Sequence, residues 1–428
     1  MSSPSYIAVL RTPHACRLFG AALLGRLSYG TVFLSLVLAF TGATGSYAVA
    51  GVAMALFGLT SAALSPLRAG LIDRYGPRRA LPPMALGYAL LLAALAAATW
   101  RPGASGVALV ALAVAAGACA PPLGPVMRTL WSDLLPDRRL LQRAYSLDTV
   151  AEELLFVAGP LLAGLLAVLA TPAAGVALSA ALVLSGTFAL VSSPAVRTAR
   201  TLRTGPPHAE PGTPPAPVSS RRRWLSGVGG LIQPVMVSAG VGMCLGALGL
   251  LMVVFAERHH QIAAVAWAEA ALSAGSAVGG LVYGARSWRV SGQVRLPVLA
   301  AALGLALAAA GFSPNLYVLV AAVGVAGLFV APALTTAYLL ADESATPRNR
   351  TRASAWVNTA FNAGTSGGTA VVGLLVGSLP LPLCFVIAAV PALLSAATAL
   401  GRSRRPAGSP AGGLLSETGV VPEGSGRP

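Results

Sequence analysis

The chain has 428 residues, 56% of them hydrophobic and only 10% charged, with a mean hydropathy of +0.75. Soluble domains carry about a quarter charged residues, so this composition excludes a soluble globular protein and points to an integral membrane protein. All 29 basic residues are arginine, and the net charge of +16 would suggest a nucleic-acid partner in a soluble chain; here the arginines flank apolar segments, which accounts for them without nucleic acid.

Apolar windows of about 20 residues mark helices long enough to cross a bilayer. A tail of residues 1–17 carries Arg11 and Arg17 ahead of the first window, 18–40. At about 23 residues that run is too long for a signal-peptide core, so it reads as the first span. It holds Arg26 and, at helical spacing, Tyr29, Gly30 and Phe33. Spans two and three, 46–69 and 80–99, are joined by GLIDRYGPRR at Gly70–Arg79, a basic turn of about ten residues that cannot lie in hydrocarbon. The fourth span, 104–128, contains GACAPPLGPVMR, where Pro121, Pro122 and Pro125 provide for a bend and the arginine, Arg128, stands only at the end. The fifth, 145–169, carries Asp148, Glu152 and Glu153, then GPLLAG at Gly159–Gly164 with Pro160. The sixth is 173–193.

Asp148 and Glu152 are four apart and share a helix face. Glu152 and Glu153 lie on the order of 10–12 Å inside their end of the fifth span, and Arg26 lies at a similar depth. An unpaired charge there costs at least about 2.5–3.5 kcal/mol, so Arg26 is expected to pair with Glu152 or Glu153, with one carboxylate exchanging protons. A static ion pair or a hydrated vestibule are the alternatives.

Residues 194–224 hold seven prolines and then Arg221-Arg222-Arg223, the composition of a flexible linker between two halves. Six more spans follow, at 229–256, 262–285 (with Glu269), 294–312, 315–340, 353–377 and 382–401. Asn358 and Asn362, four apart in the eleventh, are candidates for hydrogen bonds between halves. The tail 402–428 is rich in proline, glycine and serine and reads as disordered. Alternate connections then carry 26 arginines on one side and 2 on the other, with Arg26 inside a span. The positive-inside rule places both termini in the cytoplasm.

The halves resemble each other. At an offset of 209, Asp133, Arg139, Arg143, Gly159 and Gly164 fall on Asp342, Arg348, Arg352, Gly368 and Gly373. Charged matches carry the weight, because such residues are rare in this chain. Neither the scattered cysteines nor His259-His260 make a metal site, and with no phosphate-cradling loop ATP is not the expected energy source.

The Gly70–Arg79 turn resembles the loop between helices 2 and 3 of the major facilitator superfamily, whose pattern is G-x-L-A-D-R-x-G-R-K-x-x-L. Leu71, Asp73, Arg74, Gly76, Arg78 and Leu81 match; Ala69 replaces the first glycine and Pro77 a basic residue. The resemblance implies an all-α membrane protein with twelve helices in two pseudo-symmetric six-helix bundles, residues 18–193 and 225–401. It also implies that Asp73, Arg74, Gly76 and Arg78 form a conformational latch near helix 11. Tyr283 replaces the aspartate in the second-half copy, so the latch is expected on one side only.

Gly159, Pro160 and Gly164 resemble the helix 5 motif of proton-driven drug antiporters, with Leu155 and Ala163 departing from it. The mid-helix-4 arginine of such antiporters is missing unless Arg26 substitutes. In the family, helices 1, 4, 7 and 10 line the cavity, which nominates Tyr29, Phe33, Gln233, Met236, Met243, Phe329, Thr335, Thr336 and Tyr338. A wall of that kind suits an amphipathic organic solute. The expectation is therefore a monomeric exporter in a bacterial cell membrane, moving a small organic molecule against protons, without cofactor or enzymatic activity. Asp148, Glu152, Glu153, Glu269 and Arg26 are the candidate coupling groups. Uptake by the same fold, a membrane-embedded transferase and a non-transporting sensor are the alternatives.

Overall fold

A computed structural model of the chain describes residues 5–196, 220–261 and 263–403. Most of the expected linker, and the tail beyond 403, lie outside the described residues. Among those described, all regular structure is helical. The first half comprises a short α1 (Tyr6–Arg11), α2 (Ala15–Thr44), α3 (Tyr47–Tyr75), α4 (Pro77–Thr99), α5 (Gly106–Cys119), α6 (Leu123–Leu134), α7 (Arg138–Leu169) and α8 (Pro172–Ser192). The second comprises α9 (Ser220–Arg258), α10 (Ala264–Ala285), α11 (Gly292–Ala310), α12 (Leu316–Gly327), α13 (Val330–Ser344), α14 (Arg350–Leu375) and α15 (Leu381–Ser403).

Counting α5 with α6 and α12 with α13 as single broken spans, eleven helices are long and apolar enough to cross a membrane. The twelfth, α14, is more polar, with Arg350, Arg352, Asn358 and Asn362. Its 26 residues still extend about 39 Å, and it packs along α9. The fold is thus two bundles of six membrane-length helices.

Helices run further into charged sequence than apolar windows indicate. The turn expected over Gly70–Arg79 is a single residue: Gly76 closes α3 and opens α4 at φ 84°. Glycine reaches that angle without a Cβ clash, and Pro77 starts α4 where its missing N–H is no loss. Likewise α7 begins at Arg138 and α14 at Arg350, so Arg139, Arg143 and Arg352 are helical.

Both broken spans owe their breaks to proline. Pro121 and Pro122 remove two donors between α5 and α6. Pro332, in the first turn of α13, disfavours continuous helix through Leu328, four residues earlier. Each bundle is then drawn tight by glycine. A Cβ on Gly159 of α7 would lie 2.3 Å from the carbonyl carbon of Gly30 on α2, and one on Gly186 of α8 would lie 2.2 Å from the Gly25 nitrogen. The second half repeats this between α9 and α14, where Gly242, Gly246, Gly364 and Gly368 face carbonyl oxygens that a Cβ would approach to 1.9–2.2 Å. Backbones touch there, as small residues permit in lipid.

The two bundles meet through α7 against α10 and α13, and α3 and α6 against α14. Their mutual hydrogen bonds gather toward the end that carries the arginine-rich connections.

Candidate functional site

Two arginines and two carboxylates meet in the first bundle. Arg26 on α2 binds Asp148 (Nη1–Oδ1 2.7 Å) and Glu152 (Nη2–Oε1 3.0 Å) on α7. Arg128 on α6 binds the remaining oxygens, Asp148 Oδ2 from Nε at 3.1 Å and Glu152 Oε2 from Nη2. Each arginine bridges both acids, and the i, i+4 spacing of the acids makes that possible. Arg26, Arg128 and Asp148 are at most 3% exposed, whereas the Glu152 side chain is 25% exposed. The cluster balances its charge, as a buried site requires.

Arg128 corrects the sequence reading. It does not mark the end of the fourth span, which continues to Leu134; it is buried in the bundle. Arg26 pairs with Asp148 and Glu152, and Glu153 takes no part. That carboxylate accepts a hydrogen bond from Ser276 on α10 (3.3 Å), with Glu269 on the same helix within electrostatic range. Arg68, at the margin of the second apolar window, is also buried. It is 6% exposed and donates to the carbonyls of Ser61, Gly117 and Ala118 at 2.5, 2.6 and 2.7 Å. The last two are carbonyls at the end of α5 that the prolines leave without helical donors. Tyr29 donates its hydroxyl to the Pro121 carbonyl at the same break.

From the second half, Tyr338 lays its ring under the Arg128 guanidinium, 3.6 Å from the centroid, and donates to Asn358 at 3.4 Å. Asn358 therefore serves its own half; next to it, Thr359 donates across to the Ala62 carbonyl of the first half. Thr335 and Thr336 are fully buried, against Thr149 (3.4 Å) and Tyr283 (2.6 Å). These three nominated cavity residues sit in the seam between bundles. Phe33 and Met236, by contrast, are 57% and 56% exposed, and Phe33 lies two turns along the same face as Arg26. Gln233 donates to the Gln293 carbonyl (2.7 Å), and the Met243 backbone abuts Gly368. In the helix 5 motif only Gly159 is a packing position; the space around Gly164 is open and Pro160 is exposed.

At the arginine-rich end Asp73 accepts from the backbone N–H groups of Thr351 (3.2 Å) and Arg352 (2.9 Å). These are the second and third residues of α14, the positions an N-cap serves, while the α14 N-cap residue Asn349 makes no such bond. Asp73 therefore caps a helix of the opposite bundle. Arg74 lies over the ring of Tyr75, and Arg78 is exposed. The pseudo-symmetric contact has inverted polarity. There Gln142 donates to the Tyr283 and Arg286 carbonyls (both 3.1 Å) and Arg143 to the Ala285 carbonyl (2.9 Å). Side-chain donors satisfy the end of α10 where a carboxylate would have served the start of α7. Arg350 lies 3.5 Å from both repeat-related aspartates, Asp133 and Asp342. The short α1, which no apolar window marks, adds a bond from the Tyr6 hydroxyl to the Leu281 carbonyl (2.5 Å); burial raises the pKa of that hydroxyl.

The major facilitator superfamily model matches residues 18–260 and 235–422. No curated protein matches the sequence. The human organic anion transporter MFSD10 superposes with a TM-score of 0.67 at 16% identity, covering 92% of this chain and all of that one. A bacterial homologue of the iron transporter ferroportin, in an outward-facing state, gives 0.70 at 14% identity over 91% and 99%. The E. coli fucose:proton symporter gives 0.63 at 14% over 94% and 100%. At these identities the likeness is one of fold.

Proposed function

Because the chain belongs to the major facilitator superfamily, we propose that it is a secondary active transporter that exports a drug-like or metabolic small organic molecule in exchange for protons, by alternating access. The observation that carries the reading is the cluster of Arg26, Arg128, Asp148 and Glu152. It is neutral as drawn, partly open at Glu152, and covered from the other bundle by Tyr338. A proton on Glu152 leaves two arginines facing one carboxylate. That excess charge favours a state in which water or another anion reaches the site, so protonation and bundle position are coupled.

The excess of arginine at one end assigns that end to the cytoplasm by the positive-inside rule, with both termini there. With its contacts closed there, the conformation is one shut toward the cytoplasm. Glu269 and then Glu153 lie on the outer side of the cluster and form the entry route for protons. Phe33, on the Arg26 face of its helix, and Met236 are exposed apolar groups suited to an amphipathic solute. The chain works as a monomer, since each bundle supplies its own helices and the cluster is complete within one.

A substrate screen in a bacterial strain lacking its own exporters identifies the cargo. Everted membrane vesicles then decide direction: accumulation driven by inward-pumped protons supports export, and its absence with active protein supports uptake. Normal proton-driven transport by both Glu152→Gln and Glu153→Gln would refute the coupling role.

A further inference from the structure

A cavity of about 700 Å³ opens at the arginine-rich end, between the start of α7, the connection from α10 to α11, the start of α11 and the end of α13. Seven arginines line it against two carboxylates, Asp342 and Glu343. Both acids are already matched, Glu343 by Arg138 at 2.6 Å and Asp342 by Arg350 and by the Ser132 hydroxyl at 3.1 Å. The surplus is therefore cationic. Arg143 is only 6% exposed, and its Nη1 has no hydrogen-bond partner among the described residues. Nε and Nη1 of Arg295 are likewise buried and unpartnered. Leaving charged donors unsatisfied out of water is costly, so the site is built for an anion with several acceptor oxygens.

The aromatic rim adds the location. Trp288 is 40% exposed and stands beside the Arg286 and Arg295 guanidiniums, 5.5 and 5.6 Å from its ring. Tryptophan among arginines at a span end marks the depth of lipid headgroups. Guanidinium forks match the oxygens of a phosphate bidentately, and phosphate is the anion that headgroups carry at that depth.

We propose that this cavity binds a phosphate-bearing anion, either the headgroup of an anionic lipid or a soluble phosphate, and that the ligand ties the two bundles together at this end. The binding itself does not depend on the direction or cargo of transport. Its test is thermal unfolding of the purified full-length protein in uncharged detergent, followed by tryptophan fluorescence. Phosphatidylglycerol and phosphatidylcholine are titrated separately, and inorganic phosphate and pyrophosphate are compared with chloride at matched ionic strength. Stabilisation by phosphatidylglycerol or by the free phosphates supports the site and identifies its source, provided that Arg295→Gln weakens the apparent affinity at least tenfold. If Arg295→Gln lowers the ligand-free melting temperature, exposed Arg289→Gln on the connection is the deciding variant. Equal effects of the two lipids with none from phosphate would overturn the proposal. So would wild-type affinity in both variants.

Discussion

Replacing Asp73 by asparagine removes a charge and half of a cap. The two carboxylate oxygens accept from Thr351 and Arg352 at 3.2 and 2.9 Å; asparagine keeps one acceptor and turns an NH2 group toward the second donor. Losing an N-cap costs about 0.5–2 kcal/mol, and losing a negative charge at a helix start about 0.3–1 kcal/mol. With half of the cap kept, the sum is about 1 kcal/mol, felt only where the bundles meet at this end, because the contact does not survive their separation. At about 1.4 kcal/mol per tenfold, the population open at the arginine-rich end rises about fivefold. Thr129 reports on that opening: it is 4% exposed and its hydroxyl sits 3.1 Å from that of Thr351 across the seam. In a background with Cys16, Cys119, Cys244 and Cys384 replaced, the maleimide labelling rate of Thr129→Cys follows the open fraction. Asp73→Asn is expected to accelerate labelling about fivefold. A rate within twofold of the parent would refute the cap as a determinant of conformation.

Other residues give independent tests. Arg128→Leu leaves buried Asp148 and partly open Glu152 sharing Arg26, a loss of about 3 kcal/mol. It should lower the melting temperature sharply, and adding Asp148→Asn should recover part of it; an unchanged melting temperature in the single variant would contradict the cluster. Gly159→Ala drives a Cβ into the Gly30 backbone and is expected to cost about 1–3 kcal/mol by overpacking, whereas Gly164→Ala, with open space around it, should be neutral in the same unfolding measurement. Arg68→Leu orphans the Gly117 and Ala118 carbonyls at about 1–3 kcal/mol each, so the protein should lose thermal stability and extraction yield. Glu153→Gln should abolish the response of transport to a proton gradient while leaving substrate exchange intact.

Spans were legible because a bilayer imposes a length and a composition that any apolar window reveals. Their ends were not, since α3, α7 and α14 continue as helix through Asp73-Arg74, Arg138–Arg143 and Arg350–Arg352, where polarity reads as loop. Arg68 and Arg128 show the same blindness from the other side. An arginine at the margin of an apolar window has no local mark of burial; its partners are carbonyls and carboxylates from other helices. One signal was available for Arg128. Asp148 and Glu152 share a face and need two cations, and Arg26 supplies one. The nominated cavity split for a related reason: periodicity puts Thr335, Thr336 and Tyr338 on an inward face, but only three dimensions show that face closed against α7 and α10.

The glycine contacts have a mechanical consequence. Within each bundle, backbone rests on backbone, with no flexible side chain between Gly30 and Gly159 or Gly25 and Gly186 to absorb displacement. Between bundles, the contacts are side-chain hydrogen bonds and ion pairs that exchange readily with water. The molecule is thus two stiff blocks joined by a compliant layer one side chain thick. Strain during a turnover concentrates in that layer, which makes residues such as Asp73, Arg143 and Tyr338 the ones that set how fast the blocks rock.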